Sequence, residues 1–260
     1  MKMSSIFIQG RTFGFLLMLA MSILLWYFMN RAEGGIIEKA RKLVPVEAME
    51  EAISRALEMG KPSMVTYSFQ DSFSPPNMVG LDTVRYIAKI SAEKGGKLLV
   101  AAGAARTLPV ARENYRLGCI EGGSPELFDD KNIFFFTKQQ WAYASGVMGI
   151  MEREKPAACI FIGPFLVEGI HLGINSRRID TVAIGGNPSY SMGAFMFVAM
   201  DYVLFGEEIY AAGAYMSEDP AILSTLATED IVKWFIAGLT VLGALFAVAG
   251  SDFVIKLLGV

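Results

Sequence analysis

Few residues in this chain are suited to chemistry. Its one histidine, His171, lies three positions after Glu168 in the stretch FLVEGIHLG. That spacing puts both side chains on one helical face, and two such carboxylate–histidine helices can build a metal site. The chain holds a single copy, so no metal is expected. A hydrolase triad on His171 would need a G-x-S-x-G nucleophile elbow, which the sequence lacks. Cys119 and Cys159 are too few for a disulfide framework and sit in or beside apolar runs. They read as packing residues of a reduced compartment. No segment reads G-x-G-x-x-G or G-x-x-x-x-G-K-[ST], so dinucleotide and P-loop readings lack their motifs and no cofactor is identified.

What remains is a set of turns that follow apolar runs. They carry Ser68-Phe69-Gln70-Asp71, Gly103-Ala104-Ala105-Arg106, Thr137-Lys138-Gln139-Gln140, Gly163-Pro164, Gly185-Gly186-Asn187 and Gly206-Glu207-Glu208. Ligands of open parallel sheets bind beyond the carboxyl ends of the strands. The candidate ligand-binding residues are therefore Ser68, Gln70, Asp71, Gly103, Arg106, Gly163, Gly185, Gly186, Asn187, Glu207 and Glu208. Arg106 and the adjoining helix N-termini could hold an anion, and Asp71 could approach Glu207 and Glu208 across this edge. A plainer reading stands beside each. Glycine ends strands for geometry alone. Glu207-Glu208 opens a helix and Arg177-Arg178 ends one, as the helix dipole favours. No residue is singled out as catalytic, and whether the protein is an enzyme stays open.

The elements that would position these turns alternate. Apolar, strand-like runs cover 62–69, 97–103, 132–137, 157–163, 180–186 and 201–206. Helix-periodic segments cover 81–96, 107–123, 138–156, 165–178 and 188–200, the last opened by Pro188, and EEIYAAGAYMS follows the final strand. Continuous apolar strands between helices indicate a parallel sheet covered on both faces. The expected fold is α/β, a Rossmann-like doubly wound, mostly parallel sheet of about six strands. An amphipathic helix within 34–60 precedes it, with Pro45 at a break or in the first turn and Gly60 as its C-terminal cap.

The two ends are different in kind. Of 260 residues, 53% are hydrophobic and 19% charged, and the mean hydropathy of +0.41 points to membrane contact. Thr12 to Asn30 is free of charge, with Trp26 and Tyr27 near one end. Its length suits a bilayer span, exceeds a signal-peptide core, and is followed by no A-x-A-like site, so it reads as a retained anchor. Trp234 to Ser251 is a second uncharged stretch. Gly243, Ala247 and Gly250 share one face of it, where another membrane helix could pack closely. Thr181 to Met200 is also uncharged, but Gly185-Gly186-Asn187-Pro188 breaks it, and a third span is rejected.

The expected organisation is an anchor at 1–30, a connecting helix at 31–60, the α/β domain at 61–228, and a C-terminal span and tail at 229–260. Arg31, Lys39, Arg41, Lys42 and Lys233 flank the domain side, against Lys2, Arg11 and Lys256 on the terminal side. This places the domain in the cytoplasm of a two-pass protein of the cell membrane. A net charge of -3 gives no basic field for nucleic acid. The expected partners are the lipid bilayer and either further copies or other membrane proteins.

Three stretches carry a resemblance: WAYASGVMGIMEREKPAACIFIGPF (141–165), DYVLFGEEIYAAGAYMSEDP (201–220) and the ensuing EDIVKWFIAGLTVLGALF. Over roughly residues 60–250 the chain resembles the uncharacterised membrane proteins grouped as domain of unknown function 6754. The resemblance implies a membrane-bound α/β domain and supplies no catalytic residues. Glu207, Glu208, Tyr210 and Gly213 lie in its most specific stretch. The function expected is a structural or interaction component of an oligomeric membrane assembly. The alternative is a membrane-tethered small-ligand-binding protein or enzyme using the carboxyl edge of the sheet.

Overall fold

A computed structural model of the chain describes residues 12–33, 43–217 and 220–248. It forms two compact units, one of residues 1–40 with 218–260 and one of residues 41–217. The chain enters through helix α1 (Thr12–Glu33). Within it Gly14–Arg31 is long and apolar enough to cross a membrane, the one such segment among the described residues.

The second unit is an alternating α/β fold: α2 (Val44–Glu58), β1 (Ser63–Thr66), α3 (Pro75–Lys94), β2 (Leu98–Ala102), α4 (Leu108–Glu121), β3 (Ile133–Phe135), α5 (Gln140–Glu154), β4 (Ala158–Ile162), α6 (Glu168–Arg178), β5 (Val182–Asn187), α7 (Tyr190–Ala199), β6 (Tyr202–Phe205) and α8 (Glu208–Ser217). The six strands form one sheet in the order β3-β2-β1-β4-β5-β6. Every pairing is parallel. That is the strand order of dinucleotide-binding α/β folds, with its reversal point between β1 and β4.

Strand side chains alternate between the two faces. Val65, Val100 and Ile160 enter a core with α2, α3, α4 and α8, where Met49, Ile53, Leu81 and Ile87 are buried. Met64, Leu99, Cys159 and Phe161 enter a second core with α5, α6 and α7, where Tyr143, Leu172 and Met196 are buried. Each fully buried side chain of this size contributes about 1.5–3 kcal/mol. Helices α3 and α4 nearly touch. A Cβ on Gly118 would lie 2.4 Å from the Arg85 carbonyl oxygen, so only glycine permits this approach.

The helix boundaries follow local signals, with two departures from expectation. Helix α3 begins at Pro75, not at 81, because Ser74-Pro75-Pro76 supplies an extended N-cap and prolines in the first turn. Helix α7 begins at Tyr190, and Pro188 lies ahead of its N-cap Ser189. Pro45 does sit in the first turn of α2, and Gly60, with φ +64, follows its end. The uncharged stretch 181–200 divides into β5 and the ten-residue α7, in keeping with the rejected third span.

In the first unit, helix α9 (Pro220–Val248) packs along α1. Phe28 and Thr228 are buried, while Leu16, Met18, Trp26, Trp234 and Leu245 are exposed. Gly243 lies on α9; the side chain of Ala247 and all of Gly250 fall outside the described residues.

Candidate functional site

The carboxyl ends of β1 and β4, the reversal point, are where a doubly wound sheet would open a crevice for a ligand. Here the sheet's own loops fill that place. The Gln70 amide nitrogen donates to the Pro164 carbonyl at 2.6 Å, and the Ser68 hydroxyl donates to the same oxygen at 3.3 Å. Gly163, at φ +151, allows the approach, since a Cβ there would lie 2.5 Å from the Tyr67 carbonyl oxygen. Ser68 is fully buried with φ +91. For a residue bearing a Cβ, that conformation costs about 1–3 kcal/mol and persists only where its surroundings enforce it. Gly103 closes the neighbouring gap between the β2 and β1 loops. A Cβ at that position would sit 2.4 Å from the Phe69 Cα.

Beneath these loops runs a buried polar chain. The Thr66 hydroxyl donates to the Ala101 carbonyl at 2.8 Å and is bonded to the Tyr143 hydroxyl. Since Thr66 has one proton, committed to Ala101, Tyr143 is the donor in that pair, and the Tyr143 oxygen remains free to accept from the Ser68 backbone. Burial drives the Tyr143 phenol far above its ordinary range, with Thr66 acting in the opposite direction. Tyr67 lies alongside, also fully buried. Burial pushes its phenol up to about 12, opposed by the Thr107 hydroxyl. Glu168 is fully buried in the first turn of α6. It accepts from the Gln140 amide at 2.6 Å and from the Leu166 backbone N–H at 2.9 Å. Both carboxylate oxygens are thus engaged in holding the β4–α6 loop to α5.

The remaining sequence candidates separate. The Asp71 carboxylate accepts from the Arg106 backbone N–H at 3.3 Å and faces the Arg106 guanidinium at 3.6 Å, so this cation is directed at its own loop. Gly185 and Gly186 lie inside β5, not in the turn beyond it. There a Cβ would meet Met200 at 2.5 Å and Ile162 at 2.7 Å, so both are glycines of close packing. Asn187 is buried at the strand end, donating to the Phe165 carbonyl at 2.7 Å and accepting from the Ser189 N–H at 3.0 Å. Glu208 accepts from the Phe205 N–H at 3.0 Å, and Glu207 lies beside it at the start of α8. The strand order sets β6 three places from β1, about 14 Å along the sheet at ~4.8 Å per strand. Asp71 is therefore not brought to Glu207 and Glu208. Glu168 and His171 also diverge. Glu168 turns inward, and the exposed His171 ring rests edge-on against Trp141 with centroids 5.2 Å apart.

Sequence reasoning missed Asn77, Thr66 and Tyr143. Asn77 is fully buried in the first turn of α3 and donates to the carbonyls of Gln70 and Ser72, fixing the β1–α3 loop. Its signal was the Pro-Pro-Asn run, which lies ahead of the helix expected over 81–96. Tyr143 was legible from its spacing with Val147, Ile150 and Met151, one helical face apart. An open hollow lies away from this edge, at the amino ends of β5 and β6, lined by Glu51, Arg55, Val182, Asp201 and Tyr202. Asp201 there accepts from the Ala183 backbone N–H at 2.8 Å. Both thiols are buried and free. Burial pushes Cys119 up to about 11 and Cys159 up to about 12, which keeps them protonated and unreactive.

The sheet order, the two helical layers and the loop-filled reversal point define a doubly wound α/β protein that also carries a helix of membrane-spanning length. Within that class, the chain belongs to the family described as Domain of unknown function (DUF6754), which matches residues 2–258. No curated protein and no solved structure matches it.

Proposed function

We propose that this protein is a membrane-tethered structural or interaction component of a homo- or hetero-oligomeric assembly. The observation that carries the reading is the state of the reversal point. Gln70 and Ser68 both bond the Pro164 carbonyl where an α/β enzyme would admit a ligand. A ligand entering there would have to break those bonds and replace them, at a cost of about 1–3 kcal/mol for each polar group it covers and leaves unpaired.

The membrane part of the reading rests on the two long helices. Gly14–Arg31 has the length and composition of a span. Helix α9 packs along α1 and shares its exposed apolar surface, including Trp234, Phe235, Leu242 and Leu245. We read α9 as the second span, which puts both termini on one side and the α/β unit in the cytoplasm. By their sequence spacing, Gly243, Ala247 and Gly250 are the residues we propose for contact with a neighbouring helix. In-membrane chemical cross-linking of the full chain tests the proposal. A discrete higher-mass adduct that weakens in a Gly243→Leu/Ala247→Leu variant is the expected result. Monomer alone, at cross-linker doses that capture a known membrane dimer, would overturn it.

A further inference from the structure

We infer that the first turn of α3 holds one buried water molecule on Asn77, and that this turn is closed to phosphate. The inference concerns the β1–α3 loop alone and stands whether or not the protein assembles. Asn77 has no exposed surface, and its side-chain oxygen Oδ1 meets no donor among the described residues. The orientation of its amide is fixed. The Asn77 Nδ2 group donates to the Gln70 carbonyl at 3.0 Å and to the Ser72 carbonyl at 2.7 Å. Turned over, the amide would set its oxygen against those two carbonyls and bond neither. A buried acceptor of this kind is met by protein or by ordered water in the large majority of folds. The other buried side-chain atom in the same state, Ser91 Oγ, needs no guest, because a hydroxyl within a helix can turn to the carbonyl one turn back.

The backbone of the same residue supplies the complementary group. The first N–H groups of a helix have no acceptor within it. Pro75 and Pro76 carry no N–H, and the Met78 N–H already reaches the Ser74 carbonyl at 3.0 Å. Among residues 75–77, Asn77 alone has an N–H to satisfy, and the Ser74 hydroxyl makes no capping bond. A water molecule can accept from this N–H and donate to Oδ1, both on one residue. A buried water takes about three partners. The Ser72 hydroxyl, 3.2 Å from Asn77 Nδ2, and the Ser74 hydroxyl, 3.2 Å from Ser72, offer the remainder. Phosphate fits poorly. The helix after the first strand cradles phosphate in doubly wound sheets because several N–H groups converge there. Here proline has removed two, and the third stands beside an acceptor oxygen that repels an anion. A cation would meet the positive end of the helix dipole. A neutral molecule that both donates and accepts matches the pair, and the full burial of Asn77 sets its size at that of water.

The test is nuclear magnetic resonance on the full chain, isotope-labelled and held in detergent micelles. Cross-relaxation from water is measured at the Asn77 N–H, with the N–H of Val84, buried in the middle of α3, as the control. The expected result is a cross-peak of the sign given by a long-lived water at Asn77 and none at Val84. It should persist in a Ser72→Ala/Ser74→Ala variant, which removes relay through the two hydroxyl protons. Inorganic phosphate in excess should leave the Asn77 N–H shift unmoved. No cross-peak at Asn77, or one lost in the variant while the Val84 shift is unchanged, would overturn the bound water. A phosphate-dependent shift at Asn77 that abolishes the cross-peak would overturn it in favour of an anion site.

Discussion

The hydroxyl pair at the end of β1 should behave as one unit when mutated. Thr66 is the last residue of β1 and Tyr143 lies in the first turns of α5, so their bond ties the reversal point to the helix behind it. Tyr143→Phe leaves Thr66 bonded to Ala101 but takes away both the phenolic donor and the oxygen that the buried Ser68 N–H meets, so it should cost about 1–3 kcal/mol. Thr66→Val keeps the volume but strips the acceptor from a hydroxyl with no exposure. That should cost about 1–3 kcal/mol, because a buried donor is left without its partner. The double variant removes both hydroxyls together. Its cost should fall about 1 kcal/mol or more short of the sum, well outside the ~0.3–0.5 kcal/mol scatter of independent sites. The buried Cys159 thiol in the same core offers the assay. Its modification in mild urea reports opening of the α/β unit without requiring the long apolar helices to unfold. With tenfold per 1.36 kcal/mol, each single variant should speed modification about 5- to 150-fold. Additive costs would refute the shared bond.

Three other outcomes follow from the same geometry. Tyr67, Tyr115, Cys119 and Cys159 all have folded pKa values raised by burial, to about 12, 12, 11 and 12. Their contribution to stability is complete below the unfolded values and is lost as pH rises through the folded ones. Stability should therefore hold to about pH 9 and then fall by up to ~1.4 kcal/mol per pH unit for each titrating group. Denaturant midpoints flat from pH 9 to 11 would contradict this. Gly103→Ala places a Cβ 2.4 Å from the Phe69 Cα and should destabilise by about 1–3 kcal/mol, measured by the same thiol assay. Unchanged stability would show that the two loops have room between them. Leu19→Arg puts a charge near the middle of the apolar segment of α1, at about 2.5–3.5 kcal/mol in insertion scales, and should shift protein from the alkali-resistant membrane fraction. Undiminished membrane retention would count against α1 as an anchor.

The fold was legible because burial on both sheet faces leaves a local trace. Runs such as ACIFI and LLVAA are apolar at every position, and glycine or proline breaks mark where each chain reversal falls. Strand order leaves no such trace, since pairing Ser63 with both Leu98 and Ala158 is a long-range outcome. Without it, Asp71 and Glu207–Glu208 could be imagined together, although two strands stand between them. The candidate edge was legible as a list of turns, but not its occupancy. Gln70 reads as a solvated turn residue, and only the folded β4 loop supplies the Pro164 carbonyl it meets. Glu168 reads only as a neighbour of His171 on one helical face for the same reason: its partner Gln140 is 28 positions away. The same limit applies to Gly185, whose glycine is explained by Met200 above it rather than by a turn.

The central claim is that this protein works through assembly at a membrane, with its sheet edge closed. Native mass spectrometry of the intact protein, released gently from its own membranes, tests that claim most directly. The account expects a discrete multimer, or a complex with other membrane proteins, carrying no reproducible small-molecule mass. A monomer that retains a defined small molecule would contradict it, and the loops at Gln70, Gly103 and Gly163 would be the first place to look for that ligand.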